Sequence, residues 1–578
     1  MEAYDPMIDQ VEKQLEFVKV KEPTLDIKGK RYYAVIAGSQ NDTINVVTAN
    51  SWDQSQASFS ATSVTQQIVI DRKVMLVAQV RFQLTGPDLG KLLVQTGRDA
   101  LKSFPLARSM NVLTAQVNSS SVSINMSDII KGLEQYIGVS NLLQEFTNCP
   151  CYPDQSQQYS DLAGFVRNPL AGYGDGLFGA PEQRGAFPMV VNSLTNTAAD
   201  ITFFISEPLM VSPLHFESNL SPGFIGVDTL NVNINWKANL INSMWSRNEN
   251  DGLFTTANVS FVSAPYLLLR QLTPSPLVIQ DLPARAIYPY YQMRSFPLAQ
   301  PILLSGATYQ GQTNSIQLNV VPRRIFLYVD RDLNEERYDR PDAKLPISSV
   351  SLSFANRSGM LASDTQRSLY NRSKKNGNNL SWSMWSGSTT HNIVGTDVEI
   401  NGIGGVLCLN IPEDVPLFNS DLLTSGSVVQ TNLQITVTYT NVSASSITPR
   451  IVILTQTEGA FEIANGQSQT FLGLVTENDV LNAPYVAGID YSDVQTLYGG
   501  NVFENIKNFI SKIPAGIKKG LEFAEKDIIP IIKMIAPLLK TVGLGIEMEP
   551  SGGLVIGGRR ISRDELKERY MENLRSMR

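Results

Sequence analysis

The chain is poor in the residues around which most enzymes and secreted scaffolds are built. Its 578 residues include three cysteines, Cys149, Cys151 and Cys408, and two histidines, His215 and His391. An odd handful of cysteines in a chain this long is no disulfide framework and points to a reducing compartment. The Cys-Pro-Cys spacing at 149–151 is wrong for a zinc knuckle, has no histidine nearby in sequence, and reads as free thiols in a loop. The histidines stand in unrelated settings, PLHFES and TTHNIV, so no Ser-His-Asp or Cys-His arrangement is recognisable. HExxH, G-x-S-x-G and phosphate-loop signatures are missing too. The expectation is a protein with no catalytic residues, no metal ligands and no cofactor.

Charge is also scarce. Charged residues make up 17% of the chain, against the usual quarter. Ser, Thr, Asn and Gln take their place, which suits β-rich surfaces and wide contact areas. The net charge of −7 argues against sequence-specific nucleic-acid binding or coating. The N-terminal MEAYDPMIDQVEKQLEFVKVKEP lacks the apolar core of a secretory signal. The most apolar run, IIPIIKMIAPLL (528–539), is too short for a membrane span and is interrupted by Lys533 and two prolines. DRDLNEERYDRPD (330–342) imitates a calcium loop, yet Glu335 stands where glycine is required and Pro341 where the closing carboxylate belongs. It reads as a solvated inter-strand loop. The glycine-rich GYGDGLFGAPEQRG (172–185) lacks the Lys-Ser/Thr of a phosphate site and reads as a mobile loop.

What is present is strand pattern, almost throughout residues 30–500. Alternation is read in KVMLVAQVRFQL (73–84), NVNINWKANL (231–240), RRIFLYVD (323–330), LQITVTYTNV (433–442) and RIVILTQ (450–456), separated by Gly, Pro, Asn and Ser clusters. One series of landmarks occurs twice in the same order, roughly 240 residues apart. VIDRKVMLV (69–77) is echoed by VVPRRIFLYV (320–329), FPL (104–106) by LPI (345–347), and TAQVN (114–118) by SFAN (353–356). SDIIKGL (127–133) is echoed by SDTQRSL (363–369), where the Ser-Asp pair is expected to cap a helix. A tandem duplication of a β-sandwich accounts for this order. The proline-bearing TPSPLVIQDLPARAIYPYYQMRSFPLAQP (273–301) is expected to be the extended join, because proline cannot sit in a central strand.

Several of these stretches resemble the double jelly-roll major capsid proteins of virophages, polinton-like viruses and their adintovirus relatives. They are IDRKVMLVAQVRFQLTG (70–86), SFPLARSMNVLTAQVNSSSVSI (103–124), PISSVSLSFANRSGMLASDTQRSLYNRSKKNGNNLSWSMWSG (346–387) and GGVLCLNIPEDVPL (404–417). The resemblance implies an all-β fold of two tandem eight-stranded jelly rolls, with short inserted helices and a helical C-terminal tail. It divides the chain into an N-terminal arm or helix (1–29), a first roll (30–272), a connector (273–300), a second roll with its exit segment (301–500) and the tail (501–578). It further implies a homotrimeric, pseudo-hexameric capsomer that contacts neighbouring capsomers and penton or minor capsid proteins. Such a protein is assembled inside the host cell into an icosahedral virion shell. In the N-terminal segment, Met7, Val11, Leu15 and Val18 share one helical face, suited to packing on its own domain or on a neighbour.

The tail differs in character. Residues 501–578 carry 14 Lys and Arg against 10 Asp and Glu, so this segment is +4 while the rest is −11. Phe503, Ile506, Ile510, Ile513, Ile517 and Leu521 recur at steps of three or four, an amphipathic helical face interrupted at Pro514. RRISRDELKERYMENLRSMR (559–578) is expected to form another helix. At the change of composition stands Leu497-Tyr498-Gly499-Gly500-Asn501, which is similar to sites cut by adenovirus-type cysteine proteases. VIGGR (555–559) is a looser match. A tail so released would act inside the shell during assembly, or on a host membrane through its apolar face. A second class of function, a tandem sandwich that binds or cleaves carbohydrate, would use the rings of YPYYQM (288–293) or WSMWSG (382–387) for stacking. A spike or minor capsid protein would share the fold without forming a tiling trimer.

Overall fold

The computed structural model describes residues 39–62, 69–91, 100–137, 149–150, 189–215, 223–247, 252–274, 285–339 and 343–473, the last with short breaks of which 416–424 is the longest. It also describes three strand segments near the C-terminus. Residues up to Leu481 form one compact unit and those from Asn482 a second.

Sixteen strands carry the first unit. In the N-terminal half they are β1 (Ser39–Thr48), β2 (Gln56–Thr62), β3 (Met75–Thr85), β4 (Met110–Val117), β5 (Ser120–Ile124), β6 (Ala198–Pro208), β7 (Thr229–Trp236) and β8 (Tyr266–Pro274). In the C-terminal half they are β9 (Arg285–Ala299), β10 (Thr308–Gln312), β11 (Arg324–Arg331), β12 (Ile347–Phe354), β13 (Arg357–Met360), β14 (Leu407–Asn410), β15 (Val428–Thr440) and β16 (Pro449–Ala464). The first eight pair antiparallel in two sheets, β1-β8-β3-β6 and β2-β7-β4-β5. The second eight repeat that order as β9-β16-β11-β14 and β10-β15-β12-β13. First pairs with eighth, third with eighth and sixth, second with seventh, fourth with seventh and fifth. That is the strand order of a jelly roll, formed twice. Short extra strands extend the edges, among them Met189–Leu194 on β6 and Gln467–Leu472 on β16.

The repeat seen in the sequence is real down to single side chains. β4 and β12 begin 237 residues apart, and both bury positions one, four, six and eight while exposing position two. Each ends in a tight turn through a left-handed residue, Asn118 (φ 49°) and Ala355 (φ 51°). A short strand and then a helix follow in each roll: β5 and α2 (Met126–Leu133) in the first, β13 and α4 (Gln366–Lys375) in the second. Among the described residues the remaining short α-helices are α1 (Pro105–Ser109), α3 (Leu240–Met244) and α5 (Trp382–Trp385).

Three expectations are corrected here. The helix caps are Asn125, accepting from the Asp128 N–H, and Thr365, accepting from the Ser368 N–H, not the Ser-Asp pairs beside them. The segment 273–300 holds β9, which pairs with β16 without a break from Arg285–Ala464 to Ala299–Arg450. Pro289 and Pro297 fit because, among the described residues, β9 has a partner on one side only, so a missing N–H breaks no ladder on the other. Near the C-terminus, Ile546–Met548, Leu554–Ile556 and Arg559–Ile561 pair in a small antiparallel sheet. Arg559–Ile561 is therefore strand where a helix was expected; residues 501–545 and 562–578 lie outside the described residues.

Candidate functional site: the buried junction between the rolls

β11 and β16 do not alternate between core and solvent as RRIFLYVD and RIVILTQ suggested. They are buried on both faces. Ile325, Leu327, Val329, Ile451 and Ile453 point into the second roll's own core. Phe326, Tyr328, Val452 and Leu454 belong instead to the hydrophobic cluster of the first roll. A strand apolar on both faces needs cover on both, and here another roll supplies the second cover. Each of these side chains contributes about 1.5–3 kcal/mol when taken fully out of water.

The cover comes largely from α2, every residue of which is buried. Gly132 marks its closest approach, since a Cβ there would press on Leu454 Cδ1. Asp128, Lys131 and Glu134 follow one another at steps of three and carry charge into the contact. Glu134 accepts from Arg108 Nη2 at 2.5 Å and Ser103 Oγ at 2.8 Å in the first roll, and from Lys344 Nζ at 2.6 Å in the second. Burial pushes its carboxyl up, but Arg108 and Lys344 outweigh burial and hold it at about 2. Arg450 on β16 pairs with Asp128 at 2.9 Å and with Asp330 at 3.1 Å. Lys131 stands 3.4 Å from both Asp330 and Glu336, and Glu336 also takes Lys237 at 2.8 Å. Burial raises the Asp330 and Glu336 carboxyls too, yet the cations around them leave both below the ordinary range.

Uncharged hydrogen bonds finish the seam. Gln135 donates to the Gly404 carbonyl at 2.9 Å and accepts from the Val406 N–H at 2.8 Å, while the Tyr328 hydroxyl donates to the Asp128 carbonyl at 2.9 Å. The Tyr136 hydroxyl donates to the Val406 carbonyl at 2.7 Å. Beyond β11 the chain reaches back onto the first roll, where Tyr338 stacks on Phe254 with centroids 4.6 Å apart. The stretch 330–342 is thus no solvated loop throughout: Asp330 and the Glu336 side chain are buried in the junction. Ion pairing this dense makes the seam geometrically strict, since removing one member strands a buried charge.

Of the residues singled out from sequence, Leu497–Asn501 and the face Phe503, Ile506, Ile510, Ile513, Ile517 and Leu521 lie outside the described residues. So do the arm 1–29, the glycine-rich 172–185 and Cys151. Cys149 and Cys408 are buried. No group of His, Cys, Asp and Glu able to hold a metal occurs among the described residues. No described helix is long and apolar enough to cross a membrane. Tyr288, Tyr290 and Tyr291 are buried in the first cluster, and Trp385 is buried with Nε1 donating to the Val406 carbonyl at 3.1 Å. These rings pack the core and do not line a carbohydrate cleft. The junction charges themselves were missed. The available signal was that Phe326, Tyr328 and Asp330 share one strand face while the other face is equally apolar.

Two jelly rolls of one strand order, fused and locked together by a sealed seam, define a double jelly-roll coat protein. Residues 13–279 match the Sputnik virophage major capsid protein 1st domain, and residues 293–459 match the major capsid protein V20 C-terminal domain. The chain belongs to the major capsid proteins of the virophage type, which form the shell of the virion. It is 28% identical to the putative capsid protein V20 of Sputnik virophage, over 96% of this chain and 98% of that one. A chain of the cryo-EM structure of the Sputnik virophage superimposes with a TM-score of 0.71 at 28% identity, covering 83% of this chain and 98% of that one. The mavirus major capsid protein shares the fold, with a TM-score of 0.64 at 17% identity over 81% of this chain and 100% of that one.

Proposed function

We propose that the chain acts structurally, as a homotrimer whose six jelly rolls form a pseudo-hexameric capsomer of an icosahedral shell. The observation that carries this reading is the pair of rolls with one strand order, held at a single mutual placement by the buried seam. Three such chains supply six like units, and a closed threefold ring of them presents a near-hexagonal outline to its neighbours. Sheets arranged as closed rolls leave few open edges, which a protein needed in many copies requires. Its partners on this reading are copies of itself, neighbouring capsomers, and penton or minor capsid proteins.

The tail 501–578 works on the inner side of the shell, in assembly or in membrane disruption at entry. Its excess of basic residues and the spacing of Phe503 to Leu521 support this role. A viral cysteine protease acting after Gly500 would set it free. The native mass of the purified full-length chain tests the central claim. The expected dominant species has three times the 63.7 kDa of one chain. A species of single-chain mass that persists on concentration refutes it.

A further inference from the structure

Each roll turns one uncharged sheet face outward. In the first roll the outward positions of β7 are Thr229, Asn231, Asn233 and Asn235, and those beside them on β4 include Thr114 and Gln116. β2 and β5 add only Gln, Ser and Thr. In the second roll the equivalent face holds Gln434, Thr436, Thr438 and Thr440 on β15, Ser349 and Ser351 on β12, and Gln and Thr on β10. Among the described residues, Asp, Glu, Lys and Arg are missing from the outward positions of these strands. Charge enters at the margin, with Arg357 of β13. Exposed sheet elsewhere in the chain is different: the outer face of β3 and β6 carries Arg81 bonded to Asp200 at 2.9 Å, and β8 carries the exposed Arg270.

Neighbouring strands on these faces are linked side chain to side chain. The Thr114 and Ser123 hydroxyls lie 2.7 Å apart, Ser349 Oγ donates to Thr438 Oγ1 at 2.9 Å, and the Thr308 and Thr440 hydroxyls lie 2.9 Å apart. A hydroxyl or carboxamide both donates and accepts, whereas a carboxylate only accepts and an ammonium or guanidinium group only donates. A charged face therefore meets a copy of itself only in registers that set opposite signs together, and is repelled in the others. A hydroxyl and amide face finds partners in its own copy in every register, directly or through one water. The chain carries −7 and a trimer three times that, so copies repel one another, and least where a face bears no charge.

We infer that these neutral faces, β2-β7-β4-β5 in the first roll and β10-β15-β12 in the second, are where one trimer meets the next. The partner is a second copy of this chain in another trimer, seated neutral face to neutral face. Because the two faces are chemically alike, a first roll meets a first or a second roll equally well. A trimer then enters the shell in either of two settings a sixth of a turn apart. The contact is wet and has no large aromatic anchor, so each one is weak and the shell draws its strength from their number. The inference rests on the trimeric reading and adds how trimers join.

The test follows the association of concentrated wild-type trimers into larger species by sedimentation velocity, in about 0.1 and 0.5 M NaCl. Two double variants, N233D/Q310E and N233K/Q310K, put one charge on each neutral face at exposed positions. Circular dichroism and native mass show that each is folded and trimeric. Three results are expected: wild-type association falls less than about threefold in the higher salt, either variant alone associates about tenfold less than wild type or worse, and a mixture of the two regains association. The mixture is decisive because opposite charges then stand across the contact. A smaller loss in the single variants, a mixture that stays apart, or a larger salt effect on wild type overturns the inference. Wild-type trimers that never associate overturn it and leave the trimer standing, whereas a wild type of single-chain mass overturns both. Should the variants fail to fold, the salt response of wild type decides.

Discussion

Glu134→Gln changes one oxygen to an amide and leaves the shape of the junction intact, so its effect isolates charge. In the native chain the carboxylate faces Arg108 and Lys344, with side-chain exposures of 4% and 2% against its own 1%. Neutralising it leaves two buried cations short of their counter-ion, a change that costs about 3–5 kcal/mol in comparable settings. The depressed pKa of the carboxyl points the same way. A carboxyl held at about 2 instead of 4.5 is stabilised by roughly 3 kcal/mol when ionised. The depressed value fixes the pH window: this stabilisation is present above about pH 4.5 and is lost as pH falls toward 2. The assay is urea unfolding at pH 7 and pH 3 for wild type, E134Q, K344Q and the double variant. The gap between wild type and E134Q is expected to be several kcal/mol at pH 7 and distinctly smaller at pH 3. The cycle should show a coupling of about 1–3 kcal/mol between the two positions. A pH 7 gap below about 1 kcal/mol, or two effects that simply add, would mean that the junction is held by its apolar contacts and not by this ion cluster.

Two further outcomes follow from the same interior. Glu207 is buried where its carboxyl accepts the Leu106 and Ala107 N–H groups at 2.7 and 2.8 Å, and burial pushes it up to about 8. A raised value means stability complete below about pH 4.5, declining as pH rises and lost by about 8, so E207Q should flatten the decline in melting temperature between about pH 5 and pH 8; an unchanged slope would assign the decline elsewhere. Gly132→Ala gains up to about 1 kcal/mol of helix propensity but drives a methyl into Leu454 Cδ1. Net destabilisation of about 1–3 kcal/mol is expected in the same urea assay, and a neutral or stabilised variant would show that α2 sits further from β16.

The duplication was legible in the sequence because turns and one-sided strands repeat visibly. β7 and β15 alternate as read, each with one wall of a sandwich on one side and polar surface on the other. β11 and β16 were misread for a physical reason. A strand buried twice shows no polar alternate, and the cover on its second face comes from α2, roughly two hundred residues before β11 and three hundred before β16. The charged residues of the junction hid for the same cause. Asp330 and Glu336 lie in a run dense with charge, and only the partners brought by folding, Arg450, Lys131 and Lys237, separate them from their solvated neighbours. Proline likewise misled over 285–299, since composition does not say that a strand lies at an edge.

The long pairing of β16 sets an order of events at the ribosome. β9 starts at Arg285, and its ladder cannot begin until Arg450 has been made or finish until Ala464 has. β11 waits for the same strand, and so do the Asp128 and Asp330 carboxylates, which need Arg450. Contacts so distant in sequence are slow to form and leave apolar edges open meanwhile. One late strand therefore completes the second roll and adds the Arg450 ion pairs to a seam whose other contacts, Lys131 to Asp330 and Glu134 to Lys344 among them, use residues made earlier. A nascent chain stopped short of Pro449 would hold the strands of the first roll, with the α2 face lacking the cover of Val452 and Leu454 and the charge of Arg450.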